Sequence, residues 1–406
     1  MFIISAWNFN MKVGSNKMSL DFSIKTLIFT IVIGHLFSGI LCIAYMIQHK
    51  KDSSLYIFLF ARLFDTVAWV LLGLRDVINL CISISLGNSF LIIAQSTQII
   101  AFLIIKKRCN KLIKRVYVIA SVISIAVIHL ALMLQYVEGA RISIMSVSMI
   151  ILWCFPIYVF LMDKNSSVLQ KTVAFIYLTG FILLILRAFM GIRLSESVSL
   201  MSNNIYNVLF FVCLYLIMLI GNIGFILMAK EKSDLELTKV ATYDELTDIF
   251  NRRAFLLRAK ENISLFSKRK EPISFFLIDL DNFKKINDVY GHFAGDMVLK
   301  DFAVKIKNQL RNYDLFGRIG GEEFTVLLPG TNEKEALEVA ERLRRIAEKA
   351  SVNVGRDHII KYTISIGIVT VIPDEHTSIN TLYKISDDAL YAAKRNGRNR
   401  IEVVKL

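Results

Sequence analysis

The first half of the chain consists of long apolar blocks, which constrain its fold more than any other feature. A membrane-spanning helix needs about 20 mostly apolar residues. Seven blocks reach or approach that length, at residues 22–47, 55–74, 77–105, 116–137, 142–162, 168–190 and 205–229. We therefore expect a bundle of seven transmembrane helices. A count of six stays open, because only Arg75 and Asp76 separate the second block from the third.

The composition of the chain changes near Ala229, which marks the predicted domain boundary. Apolar residue types make up 55% of the 406 residues and charged types 20%, which is too apolar for an ordinary soluble protein. The stretch after Ala229 is richer in charge and long enough to bury its own core. We predict an all-α transmembrane domain at 1–229, a helical linker without Gly or Pro at 230–241, and an α/β domain at 242–406.

Basic residues between the apolar blocks predict the orientation in the membrane. The net charge is +14, and cytoplasmic loops are enriched in Lys and Arg. Six basic residues separate the third and fourth blocks, and Lys50 and Lys51 follow the first, whereas the loop after the fourth offers only Arg141. The N-terminus is then outside, and everything after Ala229 is on the cytoplasmic side of the inner membrane. Because topology explains the charge, we expect no nucleic-acid partner.

Several charged side chains lie inside the apolar blocks, where contact with lipid is costly. Arg62 and Asp65 are three residues apart in one block and are expected to face the bundle interior and each other. His35 and Arg187 are expected to point inward as well. These groups allow two interpretations, a structural polar contact between helices or a sensory pocket for a ligand. Both stay open, because the side chains do not form a recognisable motif.

The second half of the chain alternates strand and helix patterns. A glycine pair at 320–321 predicts a tight hairpin between two apolar strands. Around it we predict strands at 273–278, 362–371 and 400–404, and helices at 282–310, 332–350 and 379–394. This alternation is typical of an α/β domain with a central sheet and helices on one side.

Carboxylates stand at a predicted strand end and at the predicted hairpin tip. Asp279 and Asp281 follow an apolar strand, and Glu322 and Glu323 follow the glycine pair. A rigid strand end projects hard oxygen ligands at fixed spacing, so these groups can share divalent cations. That arrangement suits phosphoryl or nucleotidyl transfer. Asp281, like Asp288, can equally be a helix-capping or solvated group.

An ordered set of motifs extends through residues 242–406. Its members are Asp244, Leu246, Thr247, Asn251, Arg252 and Arg253; Asp279, Asp281, Phe283, Lys284, Asn287 and Asp288; Gly291, His292, Gly295 and Asp296; the signature at 320–324; and Tyr391, Ala393, Lys394, Gly397, Arg398 and Asn399. This set resembles the GGDEF domain of the diguanylate cyclase family. The resemblance implies a palm-like nucleotide-cyclase fold that condenses two GTP molecules into cyclic di-GMP.

The resemblance also implies roles for individual residues. Mg²⁺ or Mn²⁺ would be held by Asp279, the Leu280 carbonyl and Glu322, and the catalytic residues would be Glu322, Glu323 and Lys284. The implied GTP contacts are Phe283, Asn287, His292, Asp296, Lys394 and Arg398. Of these, Asn287 and Asp296 would read the guanine edge. Lys284, Lys394 and Arg398 would neutralise the triphosphate.

A homodimer and product feedback follow from the same resemblance. Cyclic di-GMP is two-fold symmetric, so two domains that each hold one GTP must meet. Arg311 and Asp314 match the family's inhibitory motif at the expected spacing before Gly320, and would bind the product. Arg342 is placed to supply a second arginine from a neighbouring domain. The alternative for Arg311 and Asp314 is an ordinary exposed ion pair.

The opening motif departs from the family pattern, since Asp248 and Ile249 replace the more common Gly-Leu. We expect this to affect the local turn without removing a metal ligand. The main alternative function is a non-catalytic module that binds GTP or cyclic di-GMP on a membrane receptor and signals by contact. Such domains usually lose signature residues that this chain retains. A transporter with an accessory domain and a cyclase with relaxed base choice are further alternatives.

Overall fold

The computed structural model of the chain describes residues 23–48, 52–193, 199–202, 204–355 and 358–404. The chain divides into two compact units, Met1–Ser233 and Asp234–Leu406. Lys50 and Lys51, on which part of the predicted orientation rests, lie outside the described residues. Residues 1–22 also lie outside the described residues.

The first unit is a bundle of apolar helices, as predicted. Seven helices in the described part of the chain are long and apolar enough to cross a membrane. They are α1 (Ile24–Gln48), α2 (Ser53–Gly73), α3 (Leu80–Ile105), α4 (Lys111–Met133), α5 (Glu138–Met162), α6 (Val168–Arg193) and α7 (Ile205–Thr242). The second and third apolar blocks form separate helices, because Arg75 and Asp76 lie in a turn between α2 and α3.

The helices α4 and α5 begin well before their apolar blocks. α4 begins at Lys111, because the Asn110 side chain accepts a hydrogen bond from the Ile113 amide at 2.8 Å and satisfies an N-terminal donor. α5 begins at Glu138, whose negative charge is favourable at a helix N-terminus and which pairs with Arg75 at 2.8 Å. A side-chain cap at α4 and a favourable charge at the N-terminus of α5 therefore accompany the two extensions.

A network of buried polar side chains lies inside the bundle. Arg62 is 2% exposed and pairs with the fully buried Asp65 at 2.8 Å, as the sequence predicts. The same guanidinium donates to the side-chain oxygens of Asn222 at 2.8 Å and Gln98 at 2.5 Å, and lies 3.1 Å from His35 Nδ1. The network joins α1, α2, α3 and α7, and it buries both charges inside the bundle.

The second unit is built on a six-stranded mixed sheet. Its strands are β1 (Phe250–Asn251), β2 (Ile273–Leu280), β3 (Leu315–Arg318), β4 (Glu323–Pro329), β7 (Ile364–Val371) and β8 (Ile401–Val404). Their order is β1-β3-β4-β2-β7-β8, and β2 is antiparallel to both neighbours. A separate ribbon pairs β5 (Ser351–Asn353) with β6 (Ile359–Lys361). β2 is therefore an interior strand of the main sheet.

Helices cover both faces of this sheet, so the prediction of helices on one side is wrong. They are α8 (Arg252–Arg269), α9 (Phe283–Tyr290), α10 (His292–Lys307), α11 (Glu333–Lys349) and α12 (Ile379–Arg395). Phe276 and Ile278 of β2 share a core with α10 and α11, whereas Phe275 and Leu277 share one with α8 and α12. All eight β2 residues are buried. An uninterrupted apolar strand is typical of burial on both faces.

Gly291 divides the single helix predicted at 282–310 into α9 and α10. Its φ of +83° is a left-handed conformation that glycine adopts without steric cost. The Gly291 amide donates to the Asn287 carbonyl at 2.9 Å and closes α9. The glycine therefore places a turn inside the motif predicted to contact the nucleotide.

The opening motif forms a turn that supports the signature hairpin. Asp244 accepts hydrogen bonds from the Thr247 amide at 3.0 Å, the Thr247 hydroxyl at 2.7 Å and Arg318 at 3.1 Å. Arg318 also donates to the Gly321 carbonyl at 2.6 Å. Burial opposes ionisation of Asp244, but the hydrogen bonds and the Arg318 charge hold the pKa of Asp244 below its usual value. Asp244 thus links this turn to the segment that carries Glu322.

Asp248 occupies the position where the family more often has glycine. Its φ of +54° lies in the left-handed region, which favours glycine but is tolerated by Asp. The Asp248 amide donates to the Asp244 carbonyl at 2.9 Å. The departure from the family pattern is therefore accommodated in a closed turn.

Replacing Asp244 with Asn is expected to lower the free energy of unfolding of the second unit by about 1–2 kcal/mol at neutral pH, since a charge-assisted hydrogen bond is lost. The folded pKa is lowered. The stabilisation is therefore present above the unfolded pKa of about 3.9 and is lost as the pH falls through the folded value. Chemical unfolding of residues 234–406 across this pH range measures both effects.

Asp288→Asn is the matched control, because Asp288 is exposed. The free energy of unfolding of this variant should stay within about 0.5 kcal/mol of that of the parent. If the free energy of unfolding of Asp244→Asn differs from that of the parent by the same amount at low pH, the assigned role of the Asp244 charge is contradicted.

Candidate active site

Asp279 lies near the end of β2, which is paired on both sides. The strand pairs with β4 up to Asp279 and with β7 over its whole length. This register places Asp279 opposite Glu323, the first residue of β4. Opposed residues of neighbouring strands point to the same face of a sheet, here the face covered by α8 and α12. Asp279 is only 4% exposed, so its carboxylate is held in a largely desolvated position.

The signature hairpin is held against this strand end. The Glu323 carbonyl accepts a hydrogen bond from the Ile319 amide at 3.0 Å, which closes the hairpin. The Leu280 amide donates to the Glu322 carbonyl at 3.3 Å. These bonds hold Glu322 beside Asp279 and Leu280, so the three residues predicted to bind metal are brought together.

Burial raises the pKa of two carboxyl groups at this strand end, Asp279 and Glu322. Burial raises the pKa of Asp279 to about 6, against the opposing charge of Lys394 and with a contribution from Glu322 and Glu323. Burial likewise raises the pKa of Glu322, again with Lys394 opposing and Glu323 adding. Lys394 Nζ lies 2.8 Å from Asp279 Oδ2. One ammonium group among three carboxylates leaves an excess of negative charge that a divalent cation would compensate.

The donor set fits a hard cation that arrives with a phosphate ligand better than it fits a closed protein cage. Among the described residues, no group of three or more His, Cys, Asp or Glu side chains could hold a metal ion. Asp279 and Glu322 offer carboxylate oxygens, and Leu280 offers a backbone carbonyl. Mg²⁺ is commonly bound by one or two carboxylates together with substrate phosphates and water. The residues present therefore fit Mg²⁺ or Mn²⁺.

The residues predicted to contact the nucleotide lie on α9 and the first turns of α10. Phe283 is 6% exposed and belongs to the core, so only its backbone is available to a ligand. Lys284, His292 and Asp296 are exposed, and Asn287 is half-buried. These four side chains lie on two consecutive helices and are available to a ligand that binds there.

Gly295 makes room for the side chain of Asn287. A Cβ at position 295 would collide with Asn287 Oδ1, so the close approach of α9 and α10 requires glycine there. This packing restricts the Asn287 amide. A polar group that is already restricted loses less entropy when it binds a ligand.

The two remaining predicted phosphate contacts lie at the end of α12. Lys394 is in its last turn, and the Lys394 side chain is 33% exposed. Arg398 follows in a left-handed conformation with φ of +63°, and its amide donates to the Ala393 carbonyl at 3.0 Å. The Arg398 side chain is exposed and forms no ion pair within the described ranges. Lys394 therefore reaches the carboxylate cluster, whereas Arg398 is free to meet a ligand.

Asp281 is a buried structural anchor, neither a helix cap nor a solvated group. It is 4% exposed and accepts hydrogen bonds from the hydroxyls of Thr363 and Ser365, both at 2.7 Å, and from the Asn399 amide at 3.0 Å. Asp281 thus ties the end of β2 to the segment that follows α12. Asp288, by contrast, is exposed.

The residues of the predicted product site are also brought together. Asp314 Oδ2 accepts a hydrogen bond from the Arg311 amide at 2.7 Å. Arg342, on α11 of the same chain, donates to the Gln309 carbonyl at 2.9 Å. Burial raises the pKa of Asp314, and the charges of Arg311 and Arg342 oppose this shift. Two guanidinium groups therefore lie near one half-buried carboxylate, away from the Asp279 cluster in sequence.

Several solved structures are similar to the second unit. The coiled coil and GGDEF domain of DgcB from Caulobacter crescentus, in complex with c-di-GMP, is 27% identical, with a TM-score of 0.41; the match covers 43% of this chain and 93% of that one. The active GGEEF domain of a diguanylate cyclase from Vibrio cholerae is 33% identical, with a TM-score of 0.35; the match covers 38% of this chain and 97% of that one.

Curated relatives match the same part of the chain. Diguanylate cyclase A of Treponema denticola is 39% identical over 173 residues, which are 42% of this chain and 46% of the relative. Diguanylate cyclase DosC of Escherichia coli K12 is 37% identical over 162 residues, 40% of this chain and 35% of the relative. This chain thus spans less than half the length of these two relatives.

The family model described as "Diguanylate cyclase, GGDEF domain" matches residues 241–400. These residues carry every motif predicted from the sequence, and the match ends six residues before the last residue of the chain. Residues 241–400 therefore form a GGDEF domain.

Proposed function

We propose that this chain is a membrane-bound diguanylate cyclase, which condenses two GTP molecules into cyclic di-GMP and releases two pyrophosphates. The observation that carries the proposal is the cluster of Asp279, Glu322 and Glu323 beside Lys394 at the end of β2. A domain that had become a binding module would have no need to keep this costly concentration of charge.

Asp279, Glu322 and the Leu280 carbonyl would hold the cation. Bound there, Mg²⁺ or Mn²⁺ would neutralise the α-phosphate and acidify the attacking 3′-hydroxyl. Glu322 would also be suited to accept the hydroxyl proton, because its carboxylate would lie at the same cation site. Lys284, Lys394 and Arg398 would bind the phosphate oxygens, and Glu323 would maintain the negative field around the cation.

The base would be recognised along α9 and α10. Asn287 offers an amide donor and acceptor, and Asp296 offers a carboxylate that can accept from the N1–H and amino group of guanine. Adenine has a hydrogen-bond acceptor at N1. Bound adenine would therefore place this acceptor against the Asp296 carboxylate, which also only accepts hydrogen bonds. His292, and Phe283 through its backbone, would line the same site.

Two copies of the chain would form the working enzyme. The product contains two equivalent phosphodiester links, so each GTP must supply a 3′-hydroxyl to the α-phosphate of the other. Each bound GTP needs its own cation site and base site, and the chain has one GGDEF domain. A homodimer with two-fold symmetry satisfies both conditions.

The membrane bundle would hold the domain at the cytoplasmic face of the inner membrane and control its output. Lys106 and Arg108 pair with Asp163 at 3.5 and 3.3 Å, and Lys232 pairs with Asp52 at 2.9 Å. These contacts gather basic residues at the bundle end where α7 leaves. Cytoplasmic ends are the ones enriched in Lys and Arg, so we propose that this end faces the cytoplasm and the N-terminus lies outside.

Glu322→Gln is expected to reduce cyclic di-GMP formation by at least about 100-fold, because a cation ligand and proton acceptor are both lost. The assay follows product from GTP with the purified full-length chain in Mg²⁺ and in Mn²⁺, at several enzyme concentrations. The rate per enzyme should rise with concentration if two copies must meet.

Glu375→Gln is the matched control for this assay, since Glu375 is exposed and distant in sequence from the signature. Full activity is expected for it. GTP binding without product from either the parent or the control variant would remove the enzyme proposal and favour the non-catalytic binding module.

Asp296→Ala is expected to lower the preference for GTP over ATP, measured as the ratio of the two kcat/KM values, by at least about tenfold. The preference for GTP falls because one contact to the guanine base is lost. Asp288→Ala, at an exposed site on α9, is the control. An unchanged ratio in Asp296→Ala would exclude this carboxylate from base recognition.

Arg311→Ala is expected to leave the initial rate within about twofold of the parent but to raise the concentration of cyclic di-GMP needed for half-inhibition by at least about tenfold. The assay compares initial rates at increasing added product. Arg269→Ala, at an exposed helix end, should behave as the parent. Equal inhibition of Arg311→Ala and Arg269→Ala would mean that Arg311 and Asp314 form only a surface pair.

A further inference from the structure

A cavity of about 220 Å³ lies inside the membrane bundle. Residues from α1, α2, α3, α5, α6 and α7 line it, and most of them are apolar. Small-molecule sites are typically concave, mostly apolar and supplied with a few polar groups that converge. The cavity has this character, and no step of the proposed cyclase reaction uses it.

Two deeply buried side chains of the cavity wall have unused hydrogen-bond donors. Arg62 is 2% exposed and Asn222 is 3% exposed. Arg62 Nε and Asn222 Nδ2 have no hydrogen-bond partner among the described residues. A buried donor without a partner costs about 1–3 kcal/mol. Both atoms belong to residues that line the cavity, so its wall contains polar groups whose hydrogen bonds are incomplete.

Two further arginines of the cavity wall, Arg187 and Arg141, form no ion pair within the described part of the chain. Arg187 stacks over Phe210, with the guanidinium carbon 3.8 Å from the ring centroid, and its Nη2 has no hydrogen-bond partner within the part of the chain that the structure describes. Arg141 forms no ion pair there either. By contrast, Arg75 is paired with Glu138 at 2.8 Å. The cavity wall therefore carries an excess of positive charge.

Aromatic side chains form much of the remaining wall. Trp153 and Tyr177 stack with ring centroids 4.2 Å apart, and both line the cavity. Trp69 lines it as well. Aromatic rings offer large apolar contact areas at low entropy cost. The wall thus combines unpaired guanidinium groups with flat apolar surfaces.

We propose that this cavity binds a small organic monoanion, a carboxylate with an apolar body. The carboxylate would lie between Arg187 and Arg141, and the apolar body would contact Trp153 and Trp69. Planar guanidinium groups match carboxylate geometry and tolerate partial desolvation. A zwitterion or a cation would place a positive charge among the arginines. The proposal does not rest on the cyclase reaction, because its test measures binding alone.

The experiment uses the full chain, with Trp7→Phe, in nanodiscs of neutral phosphatidylcholine. Trp69 and Trp153 are then its two remaining tryptophans, because the chain has three in all, and both line the cavity. Hexanoate is titrated while tryptophan fluorescence is recorded. Hexanol and hexylammonium have the same alkyl chain without a negative charge. We expect a saturable change with hexanoate and an apparent affinity at least about tenfold weaker for both analogues.

Arg187→Gln is expected to weaken hexanoate binding by at least about tenfold. Arg193→Gln, on the same helix at an exposed position outside the cavity wall, should bind as the parent does. If Arg187→Gln does not elute as a folded species, Arg141→Gln takes its place. Equal responses to hexanoate and hexanol, equal affinity of Arg187→Gln and Arg193→Gln, or no saturation at millimolar hexanoate would each overturn the proposal.

Discussion

The antiparallel pairing of β2 with β4 is the constraint on which the GGDEF domain depends. Seven residue pairs, from Ile273–Pro329 to Asp279–Glu323, set the register. A slip by one residue would turn Asp279 to the opposite face of the sheet. Burial of every β2 side chain prevents such a slip, because both faces would lose their packing. Hydrophobic packing therefore determines which charges meet, and it holds Asp279 in place although its pKa rises to about 6.

Sequence patterns predict the elements that carry the site, but they miss contacts between distant segments. β2 and α12 are predicted because each has a continuous apolar or periodic pattern, and the signature hairpin is predicted from its glycine pair. The supporting roles of Arg318 and Asp281 are missed, since Arg318 is 74 residues from Asp244, and Asp281 is 82 and 118 residues from Thr363 and Asn399. Spacing along the chain cannot reveal such pairs. It could have revealed α8, whose buried residues recur at helical spacing.

The membrane bundle shows the same division between local and distant information. The Arg62–Asp65 pair is predicted from a spacing of three residues. The partners Gln98 and Asn222 are 36 and 160 residues from Arg62, and only the assembled helices bring them together. Association of helices in lipid depends on such polar contacts and on close packing. The polar contacts thus specify how the helices meet, while the apolar residues make the helices apolar enough to cross a membrane.

The ion pair between Lys394 and Asp279, 2.8 Å long, gives the domain a counter-ion of its own. Without nucleotide, the lysine partly neutralises the carboxylates, and a divalent cation would compensate the remaining negative charge. Under the proposed function, an entering cation competes with Lys394, and a triphosphate draws the same lysine away. Binding of the nucleotide would therefore favour binding of the cation, and binding of the cation would favour binding of the nucleotide. A free metal ion alone would bind the empty domain more weakly.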